Sequence, residues 1–173
     1  MHLLVNDQIH LTEFRPSDKA ACVQHLGDRE IYDRTIRIPY PYTEADFDNW
    51  LEITVKATEQ HGEPIHFAIR TSDDLFIGGC GFDGLIKGHR AEICYWLAKP
   101  YWGQGIMTAV VSRACQHALA SWKLVRIKAH VFESNSASAG VLEKNGFVCE
   151  GHLRKHYLKV GLFIDGKLYA LVR

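Results

Sequence analysis

The segment 91–119 constrains this chain most, because it predicts a strand, a glycine loop and a helix in direct succession. Residues 91–98 are apolar and aromatic, which favours extended backbone. Gly103 and Gly105 then allow positive φ and a close approach of the backbone to a ligand. From Ile106 onward the apolar residues recur at helical spacing. A helix that opens from a glycine loop presents free N–H groups and the positive end of its dipole, so we predict a phosphate-binding site here.

Two other interpretations of this loop are a helix-entry turn without a ligand and a dinucleotide fold, since a glycine loop alone is weak evidence. No Asp or Glu lies between Pro100 and Trp122, so no carboxylate in this stretch repels an anion. A dinucleotide fold requires a third glycine near Thr108 and an acidic residue about 20 positions further on, at the end of the next strand. That position is not glycine and the next strand ends at Glu133, so we reject the dinucleotide fold. The sequence also lacks the phosphate loop of nucleotide triphosphatases.

Length and composition narrow the class of protein. The 173 residues predict one domain spanning residues 1–173. The formal net charge is zero, which argues against a nucleic-acid partner and gives no reason to expect an anionic membrane surface. No signal peptide is recognisable, and no segment reaches the roughly 20 apolar residues that span a bilayer. The five cysteines are dispersed without a C-x-x-C pair, which favours reduced thiols and a cytoplasmic location.

The hydrophobic pattern along the chain predicts a mixed α/β fold. The predicted strands are residues 9–14, 66–70, 75–82, 91–98, 125–132, 147–159 and 163–172. The predicted helices begin near Ser17, Thr43, Ile106 and Asn135. Thr43 and Asp46 form a capping-box pattern with Asp in place of Glu or Gln. The order indicates an α+β domain in which a mostly antiparallel sheet of about seven strands is flanked by helices.

Two separated motifs carry a family resemblance. One is YWGQGIMT at 101–108, and the other is N-x-x-S-x-x-V-L-E-K-x-G-F at 135–147, followed by Glu150-Gly151. Together they resemble the GNAT N-acetyltransferases, in the branch of the ribosomal-protein alanine acetyltransferases RimJ and RimL, over nearly the whole chain. The resemblance implies the acyl-CoA N-acyltransferase fold, with a central strand that parts from its neighbour through a bulge and acetyl-CoA in the wedge. It also implies direct acetyl transfer to a primary amine in a ternary complex.

The resemblance further implies which residues hold acetyl-CoA. The family loop R/Q-x-x-G-x-G/A corresponds to residues 102–107, and it departs from the pattern at Trp102 and at Met107, whose side chain could narrow the pyrophosphate approach. The implied coenzyme contacts are Tyr95, Trp96, Leu97, Trp102, Gly103, Gln104, Gly105, Ile106, Met107, Thr108, Asn135, Ser138 and Lys144. From the residues alone, the aromatic side chains are equally core residues, Asn135 and Ser138 are helix caps, and Lys144 is a solvated lysine.

The chemistry of amine acetylation requires a base, oxyanion donors and a proton for the leaving thiolate. Glu92 is the first candidate for the base, acting through water, and its alternative role is a structural carboxylate. Ser138 and Tyr157 are the candidates for the acid. An acyl-cysteine on Cys94, with His130 beside it on an adjacent strand, is unnecessary if acetyl-CoA reacts directly. We therefore expect Cys94 to be a packed residue.

We expect no bound metal, since His152 and His156 stand four apart on a predicted strand, about 13 Å from each other. The acceptor side is predicted at Tyr40, Tyr42 and Trp50, near acidic residues at a helix start. Aromatic walls with carboxylates suit a cationic amine such as a peptide N-terminus, a polyamine or an aminosugar. Core packing is the alternative role of these aromatic residues.

Two other functions stay open at this point, namely a non-catalytic acyl-CoA sensor and an aminoglycoside-type detoxifying acetyltransferase. A homodimer through the terminal hairpin is a further expectation.

Overall fold

An eight-stranded, mostly antiparallel sheet organises the protein, in a computed structural model that describes residues 2–173. The strands are β1 (His2–Asn6), β2 (Ile9–Thr12), β3 (His66–Thr71), β4 (Phe76–Ile86), β5 (Arg90–Leu97), β6 (Arg126–Phe132), β7 (Val148–Lys159) and β8 (Leu162–Val172). Their spatial order is β1-β2-β3-β4-β5-β6-β8-β7. Only the β5–β6 pair is parallel within the described sheet. The predicted fold class is confirmed, with β1 as an additional strand.

Five α-helices flank this sheet in the described part of the chain. They are α1 (Lys19–Leu26), α2 (Arg29–Asp33), α3 (Glu44–His61), α4 (Ile106–Ser121) and α5 (Ser136–Lys144). The capping box of α3 is confirmed, because Thr43 Oγ1 accepts from the Asp46 amide while Asp46 accepts from the Thr43 amide. The Ser17 cap was wrong. Asp18 instead accepts from the Arg15 amide and forms a buried ion pair with Arg70 at 2.7 Å.

Two apolar clusters lie on opposite faces of the sheet. Helices α4 and α5 contribute to one cluster with β4, β5 and β6, and Val110 and Val111 of α4 are fully buried in it. Helices α1, α2 and α3 contribute to the other, where Phe47 is fully buried and Trp96 of β5 packs at the edge. Each such apolar side chain contributes about 1.5–3 kcal/mol through burial. Because side chains alternate along a strand, β5 presents Tyr95 to the first face and Glu92 to the second.

The parallel strands β5 and β6 separate after three residue pairs. They pair at Arg90–Arg126, Ala91–Ile127 and Glu92–Lys128, and no further pair follows. Strand β5 continues against β4 to Leu97, while β6 continues against β8 to Phe132. The splayed central strand is therefore confirmed.

The bulge beside this split lies in β4 and not in the central strand. Between Asp83 and Ile86, two residues of β4 oppose the single residue Ala91 of β5. One of these two β4 residues is Gly84, whose φ of 58° is a conformation that glycine adopts without strain.

None of the helices described in residues 2–173 is long and apolar enough to cross a bilayer.

Candidate active site

The split between β5 and β6 opens into a cleft of about 1340 Å³. Past Glu92, the β5 edge that faces β6 has no strand partner, so its backbone N–H and C=O groups are free to bind a ligand. One carbonyl on this stretch already has a donor, since Trp102 Nε1 donates to Leu97 O at 2.7 Å. The wedge therefore offers an extended ligand a polar strand edge between two apolar faces.

One end of the cleft is formed by the glycine loop and the start of α4. Gly103 and Gly105 have φ of 73° and 76°, and a Cβ at either position would meet nothing within 4 Å. Gly105 is the N-cap of α4 and supplies no side chain to the first amides. The N–H groups of Ile106, Met107 and Thr108 therefore remain available to an anion, as the sequence predicts.

The two departures from the family loop have clear structural roles. The Trp102 indole ties the loop to the end of β5, and the Arg34 guanidinium lies 5.0 Å from its ring centre. The Met107 side chain is buried in the apolar core, so it does not obstruct the loop. Gln104 is exposed, and its amide donates to Pro100 O at 3.0 Å, which braces the loop. The Gln104 side chain does not line the cleft.

Tyr95 and α5 form another wall of the cleft. The Tyr95 hydroxyl lies 2.9 Å from Ser138 Oγ and donates to Ser138 O at 3.2 Å. Burial raises the pKa of Tyr95 well above its ordinary value, so the phenol stays neutral. Asn135 caps α5 by accepting from the Ser138 amide, and Lys144 lines the cleft at the other end of the helix. The capping roles of Asn135 and Ser138 thus coexist with positions on the cleft wall.

Glu92 lies at the last paired position of β5, where the cleft begins. Its Oε1 lies 2.8 Å from His130 Nδ1 and its Oε2 lies 3.0 Å from Lys128 Nζ. Burial alone would raise the pKa of Glu92, but the hydrogen bonds from His130 and Lys128 outweigh it and lower that pKa. A carboxylate with both oxygens engaged and a lowered pKa is a weak base. The geometry favours a positioning role for Glu92 over the basic role that the sequence suggested.

His130 is the cleft residue that sequence reasoning placed incorrectly. It was considered beside Cys94, whereas the structure pairs it with Glu92 and stacks its ring on His156 at 5.6 Å between centroids. The Cys94 thiol donates to Gly81 O at 3.6 Å, and burial raises its pKa far above the ordinary value. Cys94 is thus a neutral packed residue. The alternation along β6 does place His130 on the same face as Lys128, which could have revealed the pair.

A second His–carboxylate pair, unforeseen from the sequence, lies on the acceptor side of the cleft. Asp83 accepts from Arg37 Nη1, and its Oδ1 lies 3.1 Å from His66 Nε2. The hydrogen bond from His66 holds the pKa of Asp83 below its ordinary value. The His66 side chain is only 5% exposed. Trp50 packs edge-on against the His66 ring at 5.0 Å.

The predicted acceptor residues divide into two groups. Trp50 and the buried Tyr42 line the cleft, as does Tyr157, whose ring packs against Phe132 at 4.9 Å. Burial, followed by the Glu92 charge, raises the pKa of Tyr157, so its hydroxyl remains protonated. Tyr40 does not line the cleft; it is exposed and packs against Tyr32 at 5.3 Å. The absence of Tyr40 from the cleft lining argues against a contact with the acceptor.

One cluster of possible metal ligands lies outside the cleft. Glu133, His152 and Asp165 bring one ligand atom each to within 4.8 Å of one another. His152 Nε2 lies 3.2 Å from Glu133 and 3.5 Å from Asp165, which are ion-pair distances. His152 thus contacts two carboxylates. His156 lies within the register shift of β7 between Leu153 and Tyr157, and its ring stacks on His130.

The splayed strands, free helix start and open glycine loop form a central cleft that suits a phosphate-bearing ligand. Residues 8–148 match the family described as an acetyltransferase (GNAT) domain, and the chain belongs to that family. It is 34% identical over 122 residues to the uncharacterized N-acetyltransferase YoaA of Bacillus subtilis, an alignment covering 69% of each protein. It is 32% identical over 114 residues to the ribosomal-protein-serine acetyltransferase of Escherichia coli, covering 65% of this chain and 63% of that relative.

A solved structure shares the fold over almost the whole chain. It is RimL, a ribosomal L7/L12 alpha-N-protein acetyltransferase in complex with coenzyme A, with a TM-score of 0.87 at 20% identity. The superposition covers 99% of this chain and 98% of that chain. The expected family, fold and enzyme class are thus confirmed: the protein is a GNAT N-acetyltransferase, and acetyl-CoA is its co-substrate.

Proposed function

We propose that this enzyme acetylates the α-amino group of a peptide or protein N-terminus. The observation that carries the proposal is that the carboxylates on the acceptor side of the cleft are already engaged. Asp83 is paired with Arg37, and Glu92 with Lys128. Asp46 is held by the amide and hydroxyl at the start of α3. A polyamine or an aminoglycoside carries several positive charges and needs several unpaired carboxylates, whereas a peptide N-terminus brings one charge that the reaction removes.

The size and walls of the cleft suit this acceptor. Its volume of about 1340 Å³ exceeds the roughly 300–1,000 Å³ of a typical small-ligand pocket, so it has room for a coenzyme and a peptide end together. Ile36, Ile38 and Ile53 line the acceptor side and offer apolar contacts to side chains that follow the amine. The names of the two relatives that act on ribosomal proteins support the same class of acceptor.

The coenzyme is proposed to lie along the free edge of β5 with its diphosphate at the start of α4. The amides of Gly103, Gly105 and residues 106–108 face the phosphates, and Lys144 adds a positive charge at that end. The β5 backbone at Tyr95–Leu97 holds the pantetheine, opposite Asn135 on α5. The Gln104 side chain then stabilises the loop through its hydrogen bond to the Pro100 carbonyl.

The transfer needs three functions from the chain. The acceptor ammonium must lose a proton before its nitrogen can attack the thioester. The oxygen of the tetrahedral intermediate needs donors, which the free β5 amides provide. The leaving thiolate needs a proton, and Tyr157 and Ser138 are hydroxyl groups on the cleft wall that can supply it. Burial keeps the Tyr157 hydroxyl protonated, so both hydroxyl groups carry the proton that the thiolate needs.

The acceptor proposal is tested with a panel of amines at equal concentration: peptides with N-terminal Ala or Ser, spermidine, and an aminoglycoside. Release of the coenzyme A thiol is followed with each amine. We expect kcat/KM on the peptides to exceed that on spermidine by at least tenfold. Preferred turnover of spermidine or the aminoglycoside would overturn the proposal. Tight acetyl-CoA binding without turnover of any amine would point to a sensor.

We also propose that the terminal hairpin mediates a homodimer. The tip of the hairpin exposes Leu158, Val160, Leu162 and Phe163, and β7 is an outer strand of the sheet. A second copy of the same edge would pair with it and cover this apolar surface. Light scattering after size exclusion is expected to give twice the monomer mass, and Phe163→Glu is expected to return it to one. A monomeric native protein contradicts this assembly.

A further inference from the structure

We propose that His130 takes the proton from the acceptor ammonium, and that Glu92 positions His130 for this role. The inference rests on the proposed transfer to an amine and adds the residue that makes the amine nucleophilic. His130 becomes a catalytic residue and Glu92 a positioning residue, in place of the base that the sequence suggested.

His130 lies where β5 and β6 begin to separate. Lys128 is the last residue of β6 that pairs with β5, and His130 follows two positions later on the same face of the strand. Its ring lines the cleft, and its side chain is 20% exposed. The ring is thus held by the sheet on one side and open to an incoming amine on the other.

The hydrogen bond to Glu92 determines which nitrogen of His130 is free. A carboxylate only accepts, so the contact of 2.8 Å between Glu92 Oε1 and His130 Nδ1 places a proton on Nδ1. The neutral ring then carries its lone pair on Nε2. Among residues 2–173, no hydrogen bond engages that Nε2 atom. Lys128 holds the other oxygen of Glu92 at 3.0 Å and so fixes the carboxylate itself.

The other His–carboxylate pair of the cleft lacks this free nitrogen. His66 uses Nε2 for Asp83, and its Nδ1 is buried without a hydrogen-bond partner. Its side chain is nearly inaccessible beneath Trp50. Of the two pairs, only the one at His130 combines a positioned ring with access for a substrate.

The charged and titratable groups around His130 come from several elements. They are Glu92 on β5, Lys128 on β6, His156 and Tyr157 on β7, and Arg37 on the segment before α3. His156 is exposed and stacks on His130 with an interplanar angle of 14°.

The reaction begins with proton transfer from the acceptor nitrogen. The ammonium gives one N–H proton to His130 Nε2, and the freed lone pair forms the N–C bond to the thioester carbonyl carbon while the C=O π pair moves to oxygen. When that pair returns, the C–S bond breaks and its electrons leave with sulfur. The Tyr157 or Ser138 hydroxyl gives its proton to the thiolate and regains one from the nitrogen, which yields the thiol and the amide. The imidazolium at His130 then releases its proton to solvent.

The first experiment measures the free native protein by nitrogen-15 NMR of its histidine rings. We expect His130 to show a protonated Nδ1 and an unprotonated Nε2 near neutral pH, and Glu92→Gln to change that tautomer ratio. A proton on Nε2 of neutral His130 would overturn the inference, whatever the variants do.

The second experiment compares pH–rate profiles of native protein, His130→Gln, Glu92→Gln and His152→Gln on an accepted peptide. His152 is an exposed histidine outside the cleft and serves as the matched control. We expect His130→Gln to lower kcat at least 100-fold, to lose the fall in rate toward acid pH, and to keep its acetyl-CoA affinity. Glu92→Gln should lower kcat less and shift the acid limb, and His152→Gln should match the native profile.

Two outcomes distinguish a failure of the role of His130 from a failure of the proposed function. If native protein acetylates the peptide and folded His130→Gln keeps its rate within a few-fold with the same acid limb, the role of His130 is refuted while the proposed function stands. If native protein acetylates no amine, both are refuted together.

Discussion

The two sides of the cleft are built from different parts of the polypeptide. The proposed coenzyme side is made mainly of backbone: the free edge of β5, two glycines with positive φ and the first amides of α4. The proposed acceptor side is made of side chains that come from separate elements, such as Arg37, His66, Asp83, Glu92 and His130. A backbone site tolerates many side chains, which suits a co-substrate common to a family. A side-chain site can vary from one family member to another, which suits an acceptor that differs between members.

The largest expected effect tests the backbone side. Gly105→Val should abolish acetyl-CoA binding by calorimetry, because a β-branched residue resists a φ of 76° and its side chain enters the phosphate site. The strain costs of order 1–3 kcal/mol, less than the typical stability of a domain, so the variant should remain folded. Gly88→Val is the matched control, since Gly88 has φ of 77° and open space in a turn outside the cleft. An unchanged acetyl-CoA affinity in Gly105→Val would contradict the proposal that the backbone of the glycine loop binds the coenzyme.

A smaller effect should separate the two sides. Trp50→Leu keeps an apolar side chain on α3 but removes the indole from the acceptor wall. We expect kcat/KM for the peptide to fall about tenfold, corresponding to a loss of about 1.4 kcal/mol, with the acetyl-CoA dissociation constant unchanged. Thermal melting checks that the contacts with Phe14 and His66 are not essential for folding. A parallel loss of coenzyme affinity would show that the two sides do not act independently.

The smallest effect concerns stability on the acceptor side. The folded pKa of Glu92 lies below its ordinary value of 4.5, so its pairing stabilises the native state fully above pH 4.5 and is lost as the pH falls through the folded pKa. The free energy of unfolding of native protein should exceed that of Glu92→Gln by about 1–3 kcal/mol at pH 7, and the difference should be smaller at an acid pH below the ordinary Glu pKa. Urea titrations at both pH values measure it. A difference independent of pH would mean that the Glu92 charge does not matter for folding.

Much of the fold could be predicted from local pattern. The capping box at Thr43, the alternation along residues 125–132 and the turn at Val160-Gly161 all correspond to observed elements. Strand β1 was missed although Asn6 forms the turn into β2, where its side chain accepts from the Gln8 and Ile9 amides. The sequence predicted a cap at Ser17, whereas Asp18 precedes α1 and is paired with Arg70, 52 residues away. Local signals cannot reveal such a partner.

The sequence by itself determined the conformation of the glycine loop and the free amides of the helix start, because both depend only on neighbouring residues. It also indicated Glu92 and His130 as polar residues on predicted strands. Only the tertiary structure decided that these two meet, because the parallel register of β5 on β6 brings together residues 38 positions apart. Backbone chemistry is local, whereas the pairing of side chains depends on how distant strands are aligned, and no short segment of sequence contains that alignment.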